Sequence, residues 1–443
     1  MDRATSNEIH AQRRQRVRER LGDGVLVVGA GHAPVRSRDT HYPFRPGSDF
    51  YYLTGLSEPE GVLVLGAFEG GEMLFVRPRD AEAEVWDGRR PGPEGARAHT
   101  GIEKVALIRD LAERLPSLLD GCRVVHAPLV PGDPILGAVL QAIETLRRQE
   151  RSGRRAPTAV ADPYGPLGEE RLRKDAAAVA ALRTAIAITV EAHDRALAAA
   201  RPGGHEYQVQ AALEGAFRAA GASGPAYGSI VAAGDNATIL HYVENDGPLR
   251  TGELLLVDAG AEYDGMAADL TRTYPLDGRF RPAQRDLYEV VLRANEAGIA
   301  AVRPGATLPE IHDRVLRVLA EGLVDLGLCE GPVDAVIETN AYRRFYMHRT
   351  SHFLGADVHD VGSYRLDGGA PRPLEPTFVI TVEPGLYVPA GDDSIPAELA
   401  GTGIRIEDDV LVTADGHEVL TAAAPKAVSE VEAQVARART ARS

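Results

Sequence analysis

Four carboxylates and three histidines in the C-terminal half of this 443-residue chain stand where metal or acid–base chemistry would need them. The first pair lies in Leu254-Leu-Leu-Val-Asp258-Ala-Gly-Ala-Glu-Tyr-Asp264-Gly265-Met-Ala-Ala-Asp269. Asp264-Gly265 signals a turn between two strand-like runs. Centred on Tyr263-Asp264, the turn sets Asp258 directly opposite Asp269; centred on Asp264-Gly265, it offsets them by two residues, still within diagonal reach. Either way two like charges meet beside the apolar run Leu254–Val257, and buried carboxylates need a partner or a cation. This pattern points to metal ligation rather than to two solvated aspartates.

A second pair repeats the first. Glu383 ends the apolar run Val379-Ile-Thr-Val just before Pro384-Gly385, and Glu407 alternates with Ile404 and Ile406, sharing a strand face with Arg405. Strand-end glutamates are ordinarily salt-bridged or solvated; the weight of these two comes from their repetition of a two-strand carboxylate pair. Between the pairs stand His348, His352 and His359, three histidines in twelve positions. The His348–His352 spacing matches the helical zinc motif, but Arg349 takes the place of its glutamate, so a zincin is excluded. Neutral imidazole is a common metal ligand and proton carrier. One imidazole with four carboxylates is a hard, oxygen-rich set that favours manganese or a similar ion. Two such ions about 3.5–4 Å apart would acidify a shared water, which is hydrolytic machinery.

The elements that must position these groups repeat as well. Ala192–Gly203 (AHDRALAAARPG) and Ala294–Gly305 (ANEAGIAAVRPG) each end a helix with Arg-Pro-Gly, and a second amphipathic helix follows each. Two strands then follow each helix pair: Glu253–Gly260 with Met266–Tyr274, and Phe378–Val388 with Gly403–Val412. Two related half-domains face to face, strands inside and helices outside, would leave a cleft between them for a site. The first third reads as an α/β domain with strands at Val25–Val28, Val62–Leu65, Leu74–Val76 and Val124–Val125. The stretch from Glu150 to Leu167 has a linker's composition, which places the boundary near residue 170, with an N-terminal domain over 1–170 and a catalytic domain over 171–443. Gly29-Ala30-Gly31 lacks the third glycine of a dinucleotide fingerprint, Pro34 standing in its place.

Composition narrows the function classes. A hydrophobic content of 44% with 26% charged residues is that of a globular protein, and no apolar run approaches the roughly 20 residues that span a bilayer. The net charge of −15 argues against a nucleic-acid partner. Cys122 and Cys329 form neither a disulfide framework nor a CxxC site, so a cytoplasmic location is expected. The Arg-rich stretch from Arg13 to Arg20 is broken by Glu19, with Asp2 and Glu8 before it and no apolar segment after it; it reads as a solvated first helix rather than a transit peptide.

The motifs Val257-Asp258-Ala259-Gly260, Asp269-Leu-Thr-Arg-Thr, His348-Arg-Thr-Ser-His352-Phe-Leu-Gly, Val382-Glu383-Pro-Gly385 and Arg405-Ile-Glu407-Asp resemble those of the pita-bread metallopeptidases, in particular the proline-specific aminopeptidase P branch. The resemblance reaches the first domain through Arg38-Asp39-Thr40, Phe44-Arg45 and Asp49-Phe50-Tyr51-Tyr52-Leu53-Thr54-Gly55, and so covers nearly the whole chain. It implies an α/β N-terminal domain followed by an α+β pita-bread domain with an internal pseudo-twofold. It implies two divalent ions on Asp258, Asp269, His352, Glu383 and Glu407, manganese first, with cobalt, zinc or iron as alternatives. A hydroxide bridging the ions would cleave the bond between an N-terminal residue and a following proline. Glu383 would accept and relay its proton, His359 would stabilise the oxyanion, His241 and His348 would bind substrate, and Arg405 would orient Glu407 or the substrate. Tyr387 either lines the pocket or is an ordinary strand tyrosine. In bacterial relatives a tryptophan placed like Trp86 reaches a neighbouring subunit's active site, which implies a homo-oligomer, a dimer or tetramer; the alternative is that Trp86 anchors an interface or the domain surface. Arg349-Thr350 departs from the Gly-Leu of some members and bears on which leaving peptides fit.

The nearest rival is a prolidase restricted to Xaa-Pro dipeptides, with Arg349 or Arg372 available to hold the dipeptide carboxylate. From another class come a pita-bread peptide-binding module without metals and a metal-free amidinohydrolase of the creatinase kind, both disfavoured by the full ligand set.

Overall fold

Runs of four apolar residues form the centre of the first sheet, within Val25–Gly29, Val62–Gly66 and Glu72–Val76. Continuous apolar runs of this length suit strands covered on both faces. In this computed structural model, which describes residues 3–440, the chain falls into two units, Met1–Arg171 and Leu172–Ser443.

The sheet of the first unit has the order Val105–Leu107, Glu72–Val76, Val62–Gly66, Val25–Gly29, Val124–His126, Ala159–Ala161. Its two central pairings are antiparallel and the outer ones parallel. Val25, Val27, Val62, Val64 and Phe75 pack on helices Leu111–Leu119 and Pro134–Arg148. Two expectations need correction. The stretch read as a linker contains the edge strand Ala159–Ala161, which pairs with Val124–His126; an edge strand of alanine and valine between prolines has a loop's composition. The first helix, Arg3–Leu21, is docked rather than solvated: Arg14 is 2% exposed, bonded to Glu72 Oε2 at 2.7 Å and to the Leu53 carbonyl at 3.0 Å. A buried guanidinium is tolerated when such acceptors surround it.

The second unit shows the duplication in detail. Helices Ala176–Ala199 and Glu206–Ala219 form the first pair, Pro282–Ala301 and Leu308–Asp325 the second. Gly203 and Gly305 both take positive φ after the first helix, and their N–H groups donate to the carbonyls of Leu249 and Leu374. Pro248-Leu249 and Pro373-Leu374 are thus a second repeated pair, matched by bridges to His205 and Thr307 at the start of each second helix. By length and composition, helix Ala176–Ala199 is apolar enough to cross a bilayer, contrary to expectation; its alanines supply that character, and Leu182, Ala185, Ile186, Ala192 and Ala196 are buried in the packed interior.

Each strand expected to be continuous is broken in two. Leu254–Asp258 stops before Ala261–Tyr263, Met266–Ala267 before Thr271–Pro275, Val379–Val382 before Gly385–Val388, and Thr402–Arg405 before Asp408–Val412. Asp269, Glu383 and Glu407 all fall within the breaks, and Asp258 is the last residue before one. Interrupting a ladder frees a side chain from strict up–down alternation, as at a bulge.

Candidate active site

The hairpin that carries the aspartates turns on Asp264-Gly265: Tyr263 pairs with Met266, and both turn residues have positive φ. Asp258 therefore pairs with Thr271, and Asp269 is offset by two residues. Close approach at Gly260 is obligatory, since a Cβ there would lie 1.7 Å from the Ala268 carbonyl oxygen. The Asp269 N–H leaves the ladder and donates to Asp409 Oδ2 at 3.1 Å.

Across from this hairpin the second half supplies the rest. Ligand atoms of Asp269, His352 and Glu407 all lie within 4.8 Å of one another. His352 Nε2 is 3.4 Å from Asp269 Oδ2 and 3.6 Å from Glu383 Oε1. Tyr227 draws Asp258 into the group, its hydroxyl lying 2.6 Å from Asp258 Oδ1 and 2.5 Å from Asp269 Oδ1. Arg405 Nη2 donates to Asp258 Oδ2 at 2.5 Å, and its Nε donates to Thr271 Oγ1 at 3.2 Å. Thr271 passes its own proton to Glu407 Oε2 at 2.6 Å. Arg405 thus orients Asp258 directly and Glu407 only through Thr271, where the sequence pointed to Glu407 or the substrate.

These residues fit a divalent cation. His352 Nδ1 is 3.0 Å from the Phe353 carbonyl, which can only accept, so Nδ1 carries a proton and Nε2 is the atom turned to the carboxylates, able to ligate once its own proton is displaced. Burial pushes the Glu383 carboxyl up to about 7 against the opposing pull of His352 and Arg405, and burial with the charges of Asp269, Glu383 and Asp258 pushes Glu407 well above the usual range. Burial would depress His352, but Asp269 and Glu383 outweigh it and raise the ring to about 9. Protons held this firmly by a knot of like charges mark a place where positive charge is wanted.

Glu407 and its neighbours divide three successive acids among three tasks. Asp408 is held by Arg272 at 2.8 Å, Lys426 at 2.7 Å and Thr421 at 2.7 Å, while Arg272 also donates to the Glu407 carbonyl at 2.6 Å. Despite burial, these two cations hold the Asp408 carboxyl down to about 2. Its contribution to stability is therefore present above its ordinary value of 3.8 and is lost as pH falls through about 2. Asp408→Ala leaves Arg272 buried without its carboxylate and is expected to cost about 3–5 kcal/mol in urea unfolding at neutral pH. A loss below about 1 kcal/mol would show that the guanidinium is satisfied by carbonyls alone.

All of these groups except Thr271, Asp409 and the Asp408 cluster line one cavity of about 870 Å³ within the second unit, together with His241, His348 and His359. His359 is exposed, with its ring centre 4.5 Å from that of His352. His348 is placed differently from a proton carrier. Arg405 Nη1 donates to the Tyr387 hydroxyl at 2.9 Å; the hydroxyl proton then has to go to His348 Nε2 at 2.8 Å, and Nδ1 donates to the Arg349 carbonyl at 2.8 Å. Burial and the Arg405 charge hold this ring neutral, with its pKa near 3. Tyr387 is 1% exposed and does not line the cavity; the pocket-lining alternative for it is corrected to a prop behind His348 and Arg405. Trp86 belongs to the first unit, 83% exposed on helix Ala81–Asp87, and is not among the cavity residues.

Tyr227, Thr271 and Asp409 escaped the sequence. Asp409 and Thr271 each stand two residues from a ligand, and period-two alternation could have found them. Tyr227 carries no local signal, because it reaches the aspartates only through the fold.

The sequence matches the profile of Metallopeptidase family M24 over residues 180–414 and that of Aminopeptidase P, N-terminal domain, over residues 10–126. Xaa-Pro aminopeptidase of Escherichia coli (strain K12) is 42% identical over 444 residues, covering 98% of this chain and 99% of the relative. The chain belongs to the aminopeptidase P branch of metallopeptidase family M24. Xaa-Pro aminopeptidase 1 of Streptomyces coelicolor is 40% identical, covering 95% of this chain and 86% of the relative. Among solved structures, aminopeptidase PepP of Pseudomonas aeruginosa superposes with a TM-score of 0.94 at 43% identity, covering 98% of this chain and 99% of that one. Zinc-substituted aminopeptidase P of E. coli in complex with product gives 0.92 at 41% identity, with the same coverage. The second unit has the pita-bread fold of the aminopeptidase P family, and the chain is a metal-dependent peptidase.

Proposed function

We propose that this aminopeptidase P hydrolyses the bond between an N-terminal residue and a penultimate proline, with two divalent ions, manganese first, held by Asp258, Asp269, His352, Glu383 and Glu407. The observation that carries the reading is the convergence of Asp269, His352 and Glu407 within 4.8 Å, with His352 Nδ1 committed to the Phe353 carbonyl so that Nε2 is the ligating atom. When bound, such ions supply an acidified water and polarise a carbonyl. The chain's residues do the rest. Glu383, raised to about 7, takes a proton on its carboxylate and gives it to the leaving nitrogen. His359, with an exposed ring in the cavity, donates an N–H to the developing oxyanion. His241 and His348 contact the peptide, His348 as a fixed neutral ring. Arg405 and Tyr227 keep the aspartates in place.

On the same reading residues 1–170 are the N-terminal domain and 171–443 the catalytic one, the location is cytoplasmic on the ground of the two unpaired cysteines, Cys122 and Cys329, and the chain is a homo-oligomer to which the exposed Trp86 contributes contact surface. A cavity of about 870 Å³ stands near the top of the roughly 300–1,000 Å³ range of ligand clefts and favours peptides over dipeptides alone. The test compares Arg-Pro-Pro-Gly with Gly-Pro on manganese-loaded and chelated protein, products read by mass. Arginine should leave the tetrapeptide only with metal. Cleavage of the dipeptide alone would make the chain a prolidase, and metal-independent behaviour on both would leave a peptide-binding module.

A further inference from the structure

We propose that Arg349 and Arg365 form a cationic rim on the cavity that selects leaving peptides carrying a carboxylate shortly after the proline. The inference rests on the peptidase reading above and adds a substrate class to it. The cavity's only carboxylates are Asp258, Asp269, Glu383 and Glu407, and two divalent cations would cancel all four charges. Arg405 adds one positive charge of its own, buried and held against Asp258. The exposed charge that remains is that of Arg349 and Arg365, on a chain whose net charge is −15.

Neither guanidinium is neutralised by the protein. Among the described residues no carboxylate pairs with Arg349, whose backbone carbonyl is occupied by His348 Nδ1. Its neighbour Thr350 is pinned, the buried hydroxyl lying 2.8 Å from His312 Nδ1 and 2.7 Å from the Tyr346 hydroxyl. The backbone at Arg349 is thereby fixed while its charged end stays exposed. Burial, and then the Arg349 charge, keeps the adjacent His312 neutral, so this histidine adds no competing positive charge. Arg365 is tethered in a small hairpin by its Nη1 bond to the Gly369 carbonyl at 2.6 Å and the Leu366 N–H bond to Ala370 at 2.9 Å, again with no carboxylate partner. Arg372, the other candidate for holding a carboxylate, is buried beside Glu375 and does not line the cavity.

An exopeptidase that removes one N-terminal residue leaves the substrate's positive charge at its amino end and its carboxylate on the leaving side. A cationic rim repels the first and attracts the second. Two sources present the same group: the C-terminus of a short peptide and an aspartate or glutamate side chain in a longer one.

The test measures kcat/KM on metal-loaded protein at low ionic strength for Ala-Pro-Ala-Ala, its C-terminal amide, and the amide with aspartate after proline. Wild type should favour the free acid or the aspartyl peptide over the neutral amide by roughly tenfold, given partly desolvated guanidinium–carboxylate pairs. The acid-to-amide comparison isolates the terminal carboxylate and the aspartyl comparison isolates the side chain; discrimination in either arm supports the rim. The preference should fall to about one in Arg349→Gln/Arg365→Gln and invert in Arg349→Glu/Arg365→Glu, the glutamine variant serving if the glutamate one misfolds. Equal rates for all three peptides in wild type, or a preference that survives in the glutamine variant, would overturn the rim alone. Cleavage of none of them by the wild type would overturn the peptidase reading and the rim with it.

Discussion

Glu407→Ala is expected to lower kcat/KM for an Xaa-Pro peptide by at least about a thousandfold while the protein stays folded. A bound divalent ion supplies several kcal/mol of transition-state stabilisation, and each 1.36 kcal/mol is about tenfold in rate. The fold should survive because Glu407, 2% exposed, is a liability without metal. Burial and the charges of Asp269, Glu383 and Asp258 all oppose its ionisation, and alanine forfeits only the bond from Thr271. The adjoining Asp408→Ala should do the reverse, costing stability through Arg272. Activity and urea unfolding measured on both variants separate the two roles, and a fully active Glu407→Ala would sink the metal site.

Chelation should make the protein's stability fall steeply with rising pH. Glu383 has an ordinary value of 4.5 and is raised to about 7 in the metal-free fold, so its penalty is absent below 4.5 and grows as pH rises to about 7. His352 moves from 6.5 to about 9; the stability it contributes is full below 6.5 and lost as pH climbs through 9. Both groups bind more protons folded than unfolded, so both slopes have the same sign. A divalent cation must displace these protons, so its binding near pH 7 should release on the order of one to two of them. It should also add about 4 kcal/mol of stability at a thousandfold excess over Kd. Unfolding of loaded and chelated protein at about pH 5, 7 and 9, with proton release in weak buffer, provides the measurement. Parallel pH profiles and no release would show that these residues do not hold the ion.

The sequence exposed the four carboxylate ligands because each sits at the end of, or in a gap in, an apolar strand, where an acid is conspicuous. Alternation with Ile404 and Ile406 singled out Glu407, but it could not say what Asp408 does, since that depends on Arg272 and Lys426 arriving from elsewhere in the chain. The duplication was legible in Arg-Pro-Gly but not in Pro248-Leu249 and Pro373-Leu374, which are too short to notice until the hydrogen bonds pair them. Ala159–Ala161 and the buried Arg14 were misread for one reason: composition reports average environments, while an edge strand and a guanidinium ringed by acceptors are exceptions to them.

The two halves of the second unit are sewn along their strands. The Glu407 N–H donates to the Thr271 carbonyl at 3.1 Å, the Thr273 hydroxyl to the Arg405 carbonyl at 3.0 Å, and the Asp269 N–H to Asp409. These bonds run through the ligands themselves, so the halves cannot part like jaws without tearing the ion site. A peptide therefore comes and goes by the exposed mouth of the cavity, past Arg349, His359 and Arg365, while the ligands keep the places that these cross-half bonds give them.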